Sequence, residues 1–240
     1  MTTARLTLLG GFAVTFEDEP LRVSRAGQRL LALLCLERRR GRAPRSAAAE
    51  RLWPDLPPGR AASNLRSVLW RLPRPRGRVL VRSDSACVWL DPDVDVDLVR
   101  AEGLAQALCA EPPPESVDED LGLLDLDLLP DWDEPWLHVE QESYRQKRLH
   151  ALERGAVGLR GVGRYSAALA AGLAAVRAEP LRETAHRQVI EVHLAEGNHA
   201  EALRQYDGYR RLLATELGLP PSPAIRALVG PLLGRPLDHR

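Results

Sequence analysis

One lysine, Lys147, stands among the 33 basic residues of this 240-residue chain, and the rest are arginine. With so much alanine, this bias marks a GC-rich coding sequence and says nothing of function. No run of 18 apolar residues occurs, which excludes a hydrophobic spanning helix. The opening Met1 to Gly10 has an apolar run too short, and broken by glycine, for a secretory signal. A cytoplasmic protein is expected, with no membrane contact. Cysteine is scarce: Cys35, Cys87 and Cys109 are odd in number and far apart. They are expected to be reduced core thiols, neither bridged nor metal-bound. Also missing are G-x-S-x-G, a phosphate loop, H-E-x-x-H and any nearby His-Ser or His-Cys arrangement. The chain is not expected to be an enzyme, to bind a metal or to carry a cofactor.

Net charge is zero, but it is segregated. Residues 1–90 carry 17 arginines and 7 acids, residues 91–145 carry 2 arginines and 17 acids, and residues 146–240 return to a net +5. A basic block joined to an acidic one suggests nucleic-acid contact in one part only. The basic block holds Pro44 to Leu72, which reads as two short helices around a proline-rich turn. The first carries Ala48, Leu52 and Trp53 on one side. The second is expected to begin after Pro57, Pro58 and Gly59, with Ala61, Ala62, Leu65, Val68, Leu69 and Leu72 on its apolar face. Opposite lie Arg60, Ser63, Asn64, Ser67 and Arg71, with Arg66 and Trp70 on the flanks. Solvated helix faces mix charge signs, whereas this one is cationic and acid-free. Arginine suits guanine edges and phosphates, and Asn and Ser suit further base or backbone contacts, in the major groove of double-stranded DNA.

Arg5 to Glu17 reads as two strands with a bend at Gly10-Gly11, Glu17 to Pro20 as a turn, and Leu21 to Val23 as a third strand. Ser24 caps a helix to about Arg39 that buries Leu30, Leu31, Leu33, Leu34 and Cys35 and ends on Arg38, Arg39 and Arg40. Val79 to Leu90 alternates about Ser83-Asp84-Ser85 as a hairpin. Strands, three helices and a terminal hairpin make a winged helix. Arg76, Arg78 and Arg82, with no acidic neighbour but Asp84, are placed to meet phosphates beside the groove. Asp91 to Leu98 has an aspartate at alternate positions but lacks the central Gly and terminal Glu of a calcium loop. It reads as a linker or edge strand closing the first domain.

Val99 to Ala110 reads as a helix, Glu111 to Glu115 as a break, and Ser116 to Trp136 as an acidic, leucine-rich stretch. Its carboxylates form no recognisable acid–base pair, and Trp132 and Trp136 are expected to pack on the helix that follows, from about Gln141 to Arg160. Gly163-Arg164-Tyr165-Ser166-Ala167-Ala168-Leu169 is echoed by Gly197-Asn198-His199-Ala200-Glu201-Ala202-Leu203. The offset of 34 residues is the tetratricopeptide (TPR) period. Ala168 and Ala202 occupy the close crossings, Pro180 marks a change of helix, a helix covers Leu181 to Ala195, and a last one starts after Ser222. His186, His193 and His199 lack metal-ligand spacing and read as ordinary helix residues.

The segments L-L-G-G-F-A-V, P-R-S-A-A-A-E-R-L-W-P-D and A-A-S-N-L-R-S-V-L-W-R-L resemble the OmpR-type winged helix, in the form found in Streptomyces antibiotic regulatory proteins (the SARP family). D-W-D-E-P-W, A-E-G-N-H-A-E-A-L-R-Q-Y and L-G-L-P-P-S-P resemble the bacterial transcriptional activator domain that follows it there. The recognition helix departs from the family pattern, because Pro73 and Pro75 stop it and leave Arg74 and Arg76 in a loop. The expected fold is an α+β winged-helix domain at 1–95 followed by an all-α TPR-like helical-repeat domain at 96–240. The resemblance implies a DNA-binding transcriptional activator that binds direct repeats near a promoter, contacts RNA polymerase and switches on a biosynthetic cluster, with a homodimer on DNA as one arrangement. At this length neither a receiver domain nor an ATPase module is expected. The alternative is a TPR-type protein-interaction adaptor whose winged helix no longer reads DNA.

Overall fold

Ala4–Thr7 (β1) and Ala13–Phe16 (β2) pair antiparallel, joined through Gly10 and Gly11, both at positive φ. The computed structural model describes residues 4–38, 41–110 and 121–234. Glu17 and Asp18 both take left-handed backbone angles, which makes a two-residue hairpin turn. The turn is therefore shorter than expected, and the third strand, β3, falls at Glu19–Pro20 instead of Leu21 to Val23. Asp95–Val96 (β7) adds to the other edge of β1 in parallel, giving the order β3-β2-β1-β7. The Asp-rich run is thus an edge strand, as its alternation implied.

Helix α1 spans Arg25–Glu37, with the Ser24 hydroxyl accepting from the Gly27 amide, and buries an unbroken run from Leu30 to Cys35. The cations expected at its end, Arg39 and Arg40, lie outside the described residues, as do the Glu111 to Glu115 break and the start of the acidic stretch at Ser116. Ala43–Pro44 (β4) precedes Arg45–Leu52 (α2) and Pro58–Arg71 (α3). Val81–Ser83 (β5) and Cys87–Leu90 (β6) form the hairpin, and β4 pairs with β6 to give a second sheet, β4-β6-β5. Among the cysteines only Cys35 is buried; Cys87 is half-buried and Cys109 exposed, so the core-thiol expectation fails for the last.

The chain forms two compact units, residues 1–100 with 127–143 and residues 101–126 with 144–240. In the first, the segment after Asp127 returns to β1. Leu9 and Leu128 form an antiparallel bridge, the Gly10 amide donates to the Asp127 carbonyl at 2.8 Å, and the Leu129 amide donates to Leu8 at 2.8 Å. Trp132 is buried and stacks on Phe12 at 5.6 Å between centroids, with the Arg25 guanidinium 4.0 Å over its ring. It therefore packs on Phe12 and Arg25, in the N-terminal part of the first unit. Glu134 accepts from Arg29 at 2.8 Å and from the Trp136 indole at 3.2 Å. The buried Asp97 carboxylate takes the amides of Leu8 and Leu9 at 2.9–3.0 Å and that of Leu98 at 2.7 Å.

In the second unit the helices are the C-terminal parts of Asp97–Leu108 (α4) and Pro135–Gly161 (α5), then Tyr165–Ala178 (α6), Glu183–Ala195 (α7), His199–Glu216 (α8) and Pro223–Val229 (α9). The repeat read from sequence is a repeat of geometry. Gly163 and Gly197 have φ of 77° and 82°, and Arg164 and Asn198 share φ −84° and ψ 64°. The same three bonds recur 34 residues apart: Gly163 to Arg160, Arg164 to Leu159 and Ala168 to Arg164, matched by Gly197 to Leu194, Asn198 to His193 and Ala202 to Asn198. Ala168 and Ala202 are fully buried, where a larger side chain would hold the helices apart. Ser222 caps α9, accepting from the Ile225 amide. Among the described residues no helix is long and apolar enough to cross a membrane.

Candidate nucleic-acid interface

The turn between α2 and α3 is built by proline. Trp53 ends α2 and donates its amide to Ala49, and the Pro57 carbonyl accepts from Arg60 and Ala61. Pro58 is the first residue of α3 and not part of the break before it, because the first helical position needs no amide hydrogen. At the far end Leu72 is extended, as the residue before a proline must be, and the helix stops at Arg71. Ala61, Leu65 and Val68 are buried, with Leu72 just beyond them.

Burial of these residues fixes which side of α3 is free. At 100° per residue, Ser63 and Trp70 lie opposite the buried row, with Arg66 and Ser67 beside them. Arg60, Asn64 and Arg71 stand to one side, and Asn64 is half-buried. Trp70 is 79% exposed. It occupies the middle of the free face, not its flank, because Ala62 and Leu69 are only half-buried and the core side is narrower than the apolar residues suggest. The Arg66 guanidinium donates to the Ser63 hydroxyl at 2.7 Å, and the Ser67 hydroxyl donates back to the Ser63 carbonyl at 3.1 Å. Arg60, Asn64 and Arg71 make no side-chain hydrogen bond or ion pair among the described residues, so their donors remain available.

The hairpin contributes differently from the sequence expectation. Arg76 pairs with Glu17 at 2.5 Å, and Arg82 Nε pairs with the buried Asp91 at 2.6 Å. That carboxylate holds the Arg82 guanidinium above its ordinary pKa through the hydrogen bond and its charge. Asp84 is therefore not their acidic neighbour. Glu17 is 59 residues from Arg76, and Asp91 faces Arg82 across the sheet edge. Among the described residues Arg78 has no ion pair of its own, but it shares a cleft of about 330 Å³ with Arg82, Asp91 and Asp93. The positive charge of the wing is thus largely balanced.

The tip of the hairpin belongs instead with α2 and α3. Arg45, Ser46, Ala62, Arg66, Asp84 and Ser85 line a cleft of about 500 Å³. The Asp84 carboxylate accepts from the Ala86 and Cys87 amides at 2.9 and 2.7 Å, which lowers its pKa, and the nearby Arg42 and Arg45 add to the effect. Arg42 lies 3.6 Å from Asp84 and 4.0 Å over the Trp89 ring, and Arg45 donates to the Asp84 carbonyl. Arg42, Arg45 and Ser46 escape a reading of the sequence because β4, the strand that ties them to the hairpin, is only Ala43–Pro44. For the two arginines the signal was charge alone, and for Ser46 there was none.

The family model of the bacterial transcriptional activator domain matches residues 96–233. Regulatory protein AfsR of Streptomyces coelicolor is 28% identical over 235 residues, and AfsR of Streptomyces griseus 28% identical over 232. Both alignments cover 93% of this chain, which spans only 24% of the length of either relative. The solved structure of Mycobacterium tuberculosis EmbR, in complex with a low-affinity phosphopeptide, superposes with a TM-score of 0.66 at 23% identity. That match covers 99% of this chain and 67% of EmbR, and it shows the same fold.

Proposed function

Because this chain belongs to the SARP family of transcriptional regulators, built on a bacterial transcriptional activator domain, we propose that it is a sequence-specific DNA-binding activator that lays α3 in the major groove. The observation that carries this reading is electrostatic. No acid occurs between Asp55 and Asp84, while α3 exposes Arg60, Ser63, Arg66, Ser67 and Arg71 over that stretch. An acid-free helix face beside Arg42 and Arg45 suits a polyanion, and the fork of arginine suits guanine edges. Arg60, Asn64, Arg66 and Arg71 supply base and nearby phosphate contacts, with Ser63 and Ser67 as acceptors or donors beneath them. Arg76, Arg78 and Arg82 act on phosphates at the margin, weakened by their acidic neighbours. On this reading the protein works in the cytoplasm, the DNA-reading part lies within about residues 1–95, and the helical repeats of 96–240 contact RNA polymerase or a second copy of the chain bound to an adjacent repeat of the operator.

The pairing of Arg76 with Glu17 and of Arg82 with Asp91, together with the short α3, favours the second reading, an adaptor without DNA recognition. One experiment separates the two. The full-length protein is used to select fragments from random double-stranded DNA, and Arg71→Ala and Arg66→Ala are compared on the selected site and on random sequence. An activator of the proposed kind selects a consensus, and each substitution costs on the order of 1–3 kcal/mol on that site and much less elsewhere. Recovery of no consensus favours the adaptor.

A further inference from the structure

Trp70 is the feature of α3 that an arginine-and-phosphate account does not use. Its indole is 79% exposed in the last turn of the helix, one turn beyond Arg66 and Ser67 and beside Arg71. Large apolar side chains are normally withdrawn from water, since covering one is favourable by about 25 cal/mol per Å². Here the side chain stands at the middle of the free face, opposite Ala61, Leu65 and Val68, where packing within the unit cannot reach it. Its neighbours say what covers it. The stretch from Leu56 to Ser83 has no acid, Arg66 lies one turn before the indole, Arg71 and Arg74 follow it in the chain, and Arg60 stands further up the same helix, so the covering surface is strongly anionic. It must also offer something apolar at its centre. In the major groove of double-stranded DNA, one group meets that description: the C5-methyl of thymine, since every other base edge there presents hydrogen-bond donors or acceptors.

We propose that Trp70 reads thymine, packing its indole against the C5-methyl group of a thymine under the C-terminal end of α3. This rests on the DNA-binding reading given above and assigns part of its specificity to a residue that donates no hydrogen bond to a base edge. The flanking arginines supply affinity, and the indole supplies discrimination at one position.

The test uses the full-length protein and the site it selects from random double-stranded DNA. Each thymine of that site is replaced singly by deoxyuridine, which removes the methyl group and changes nothing else on the groove edge. At one thymine the wild-type protein should lose about fourfold in affinity, the share of one buried methyl group. Trp70→Ala should bind the parent site more weakly and show no difference between thymine and deoxyuridine at that position. Trp70→Phe, which keeps an apolar ring, should retain part of the discrimination. Both variants should fold, because the side chain is in water. The proposal is overturned if no thymine responds, or if Trp70→Ala keeps the wild-type response. It is equally overturned if Trp70→Ala binds DNA normally but fails to activate transcription, since the indole then faces a protein. Failure of the wild-type chain to select any site is a different result and removes the DNA-binding reading itself.

Discussion

Arg76, Arg78 and Arg82 look alike in the sequence, and their surroundings make them unlike. A phosphate contact releases condensed counterions only to the extent that the cation was not already neutralised. Arg78→Ala should therefore lower the slope of log affinity against log salt by more than Arg82→Ala or Arg76→Ala does, with about 0.9 as the ceiling for one contact. Equal losses for all three would mean that the acidic partners let go on binding. His186 is a second case in which the environment decides. It is buried, stacks on Tyr209 at 4.2 Å, and has both ring nitrogens engaged, Nε2 with the Pro180 carbonyl at 2.8 Å and Nδ1 with the Gln205 amide at 2.9 Å. A donor at Nε2 and an acceptor at Nδ1 describe the neutral ring, and burial pushes its pKa below 6.5. The unfolded chain then takes up a proton before the native one does. Stability should be intact above pH 6.5 and fall as pH drops below it, by up to about 1.4 kcal/mol per pH unit. Urea midpoints measured at a series of pH values will show this, and His186→Gln should flatten the dependence.

At the scale of elements, much was legible because it was local. The Ser24 and Ser222 caps, the hairpin about Asp84, the end of α3 before Pro73 and the 34-residue repeat each depend on residues within a turn or two of one another. The repeat carries its own prediction. Gly163 and Gly197 sit in the left-handed region, at a position where alanine is strained. Alanine at either should cost about 1–2 kcal/mol in a denaturation experiment, with no change in DNA binding. What could not be read was contact at a distance. Trp132 meets Phe12 120 residues away, Asp97 meets Leu8 and Leu9, and Glu17 meets Arg76, and no periodicity records any of these. The middle of the free face of α3 was misplaced for a related reason. Which of Ala62, Leu65, Val68 and Leu69 is truly buried depends on what packs against them, and only Leu65 and Val68 are. Asp97→Ala tests one such contact. It would leave the amides of Leu8, Leu9 and Leu98 without an acceptor, and a loss of about 3 kcal/mol is expected, read as a shift in the urea midpoint.

At the scale of the whole molecule, the two compact units do not follow one cut in the chain. Residues 127–143 belong with residues 1–100, and they bring Leu128, Leu129, Trp132 and Leu137 into that core. Each buried side chain of this kind stabilises by roughly 1.5–3 kcal/mol, against the 5–15 kcal/mol that holds a typical domain together. A fragment ending near Asp97 is thus expected to unfold at a markedly lower urea concentration than a fragment ending near Ser143, and to expose Leu8, Leu9 and Phe12. Equal midpoints would show that the returning segment is dispensable. Trp132→Ala in the intact chain should cost about 3–5 kcal/mol of the same stability.

The returning segment also fixes an order of events during synthesis. β1 leaves the ribosome early, but the strand-like partner of Leu9 is Leu128, and the side chain that covers Phe12 is Trp132. The N-terminal unit therefore cannot be completed until some 140 codons have been translated, by which time residues 101–126 of the second unit have already been made. The same rule binds recombination between genes. A crossover at the end of the winged helix separates it from part of its own core, so a transferable module must carry the stretch through Ser143 with it.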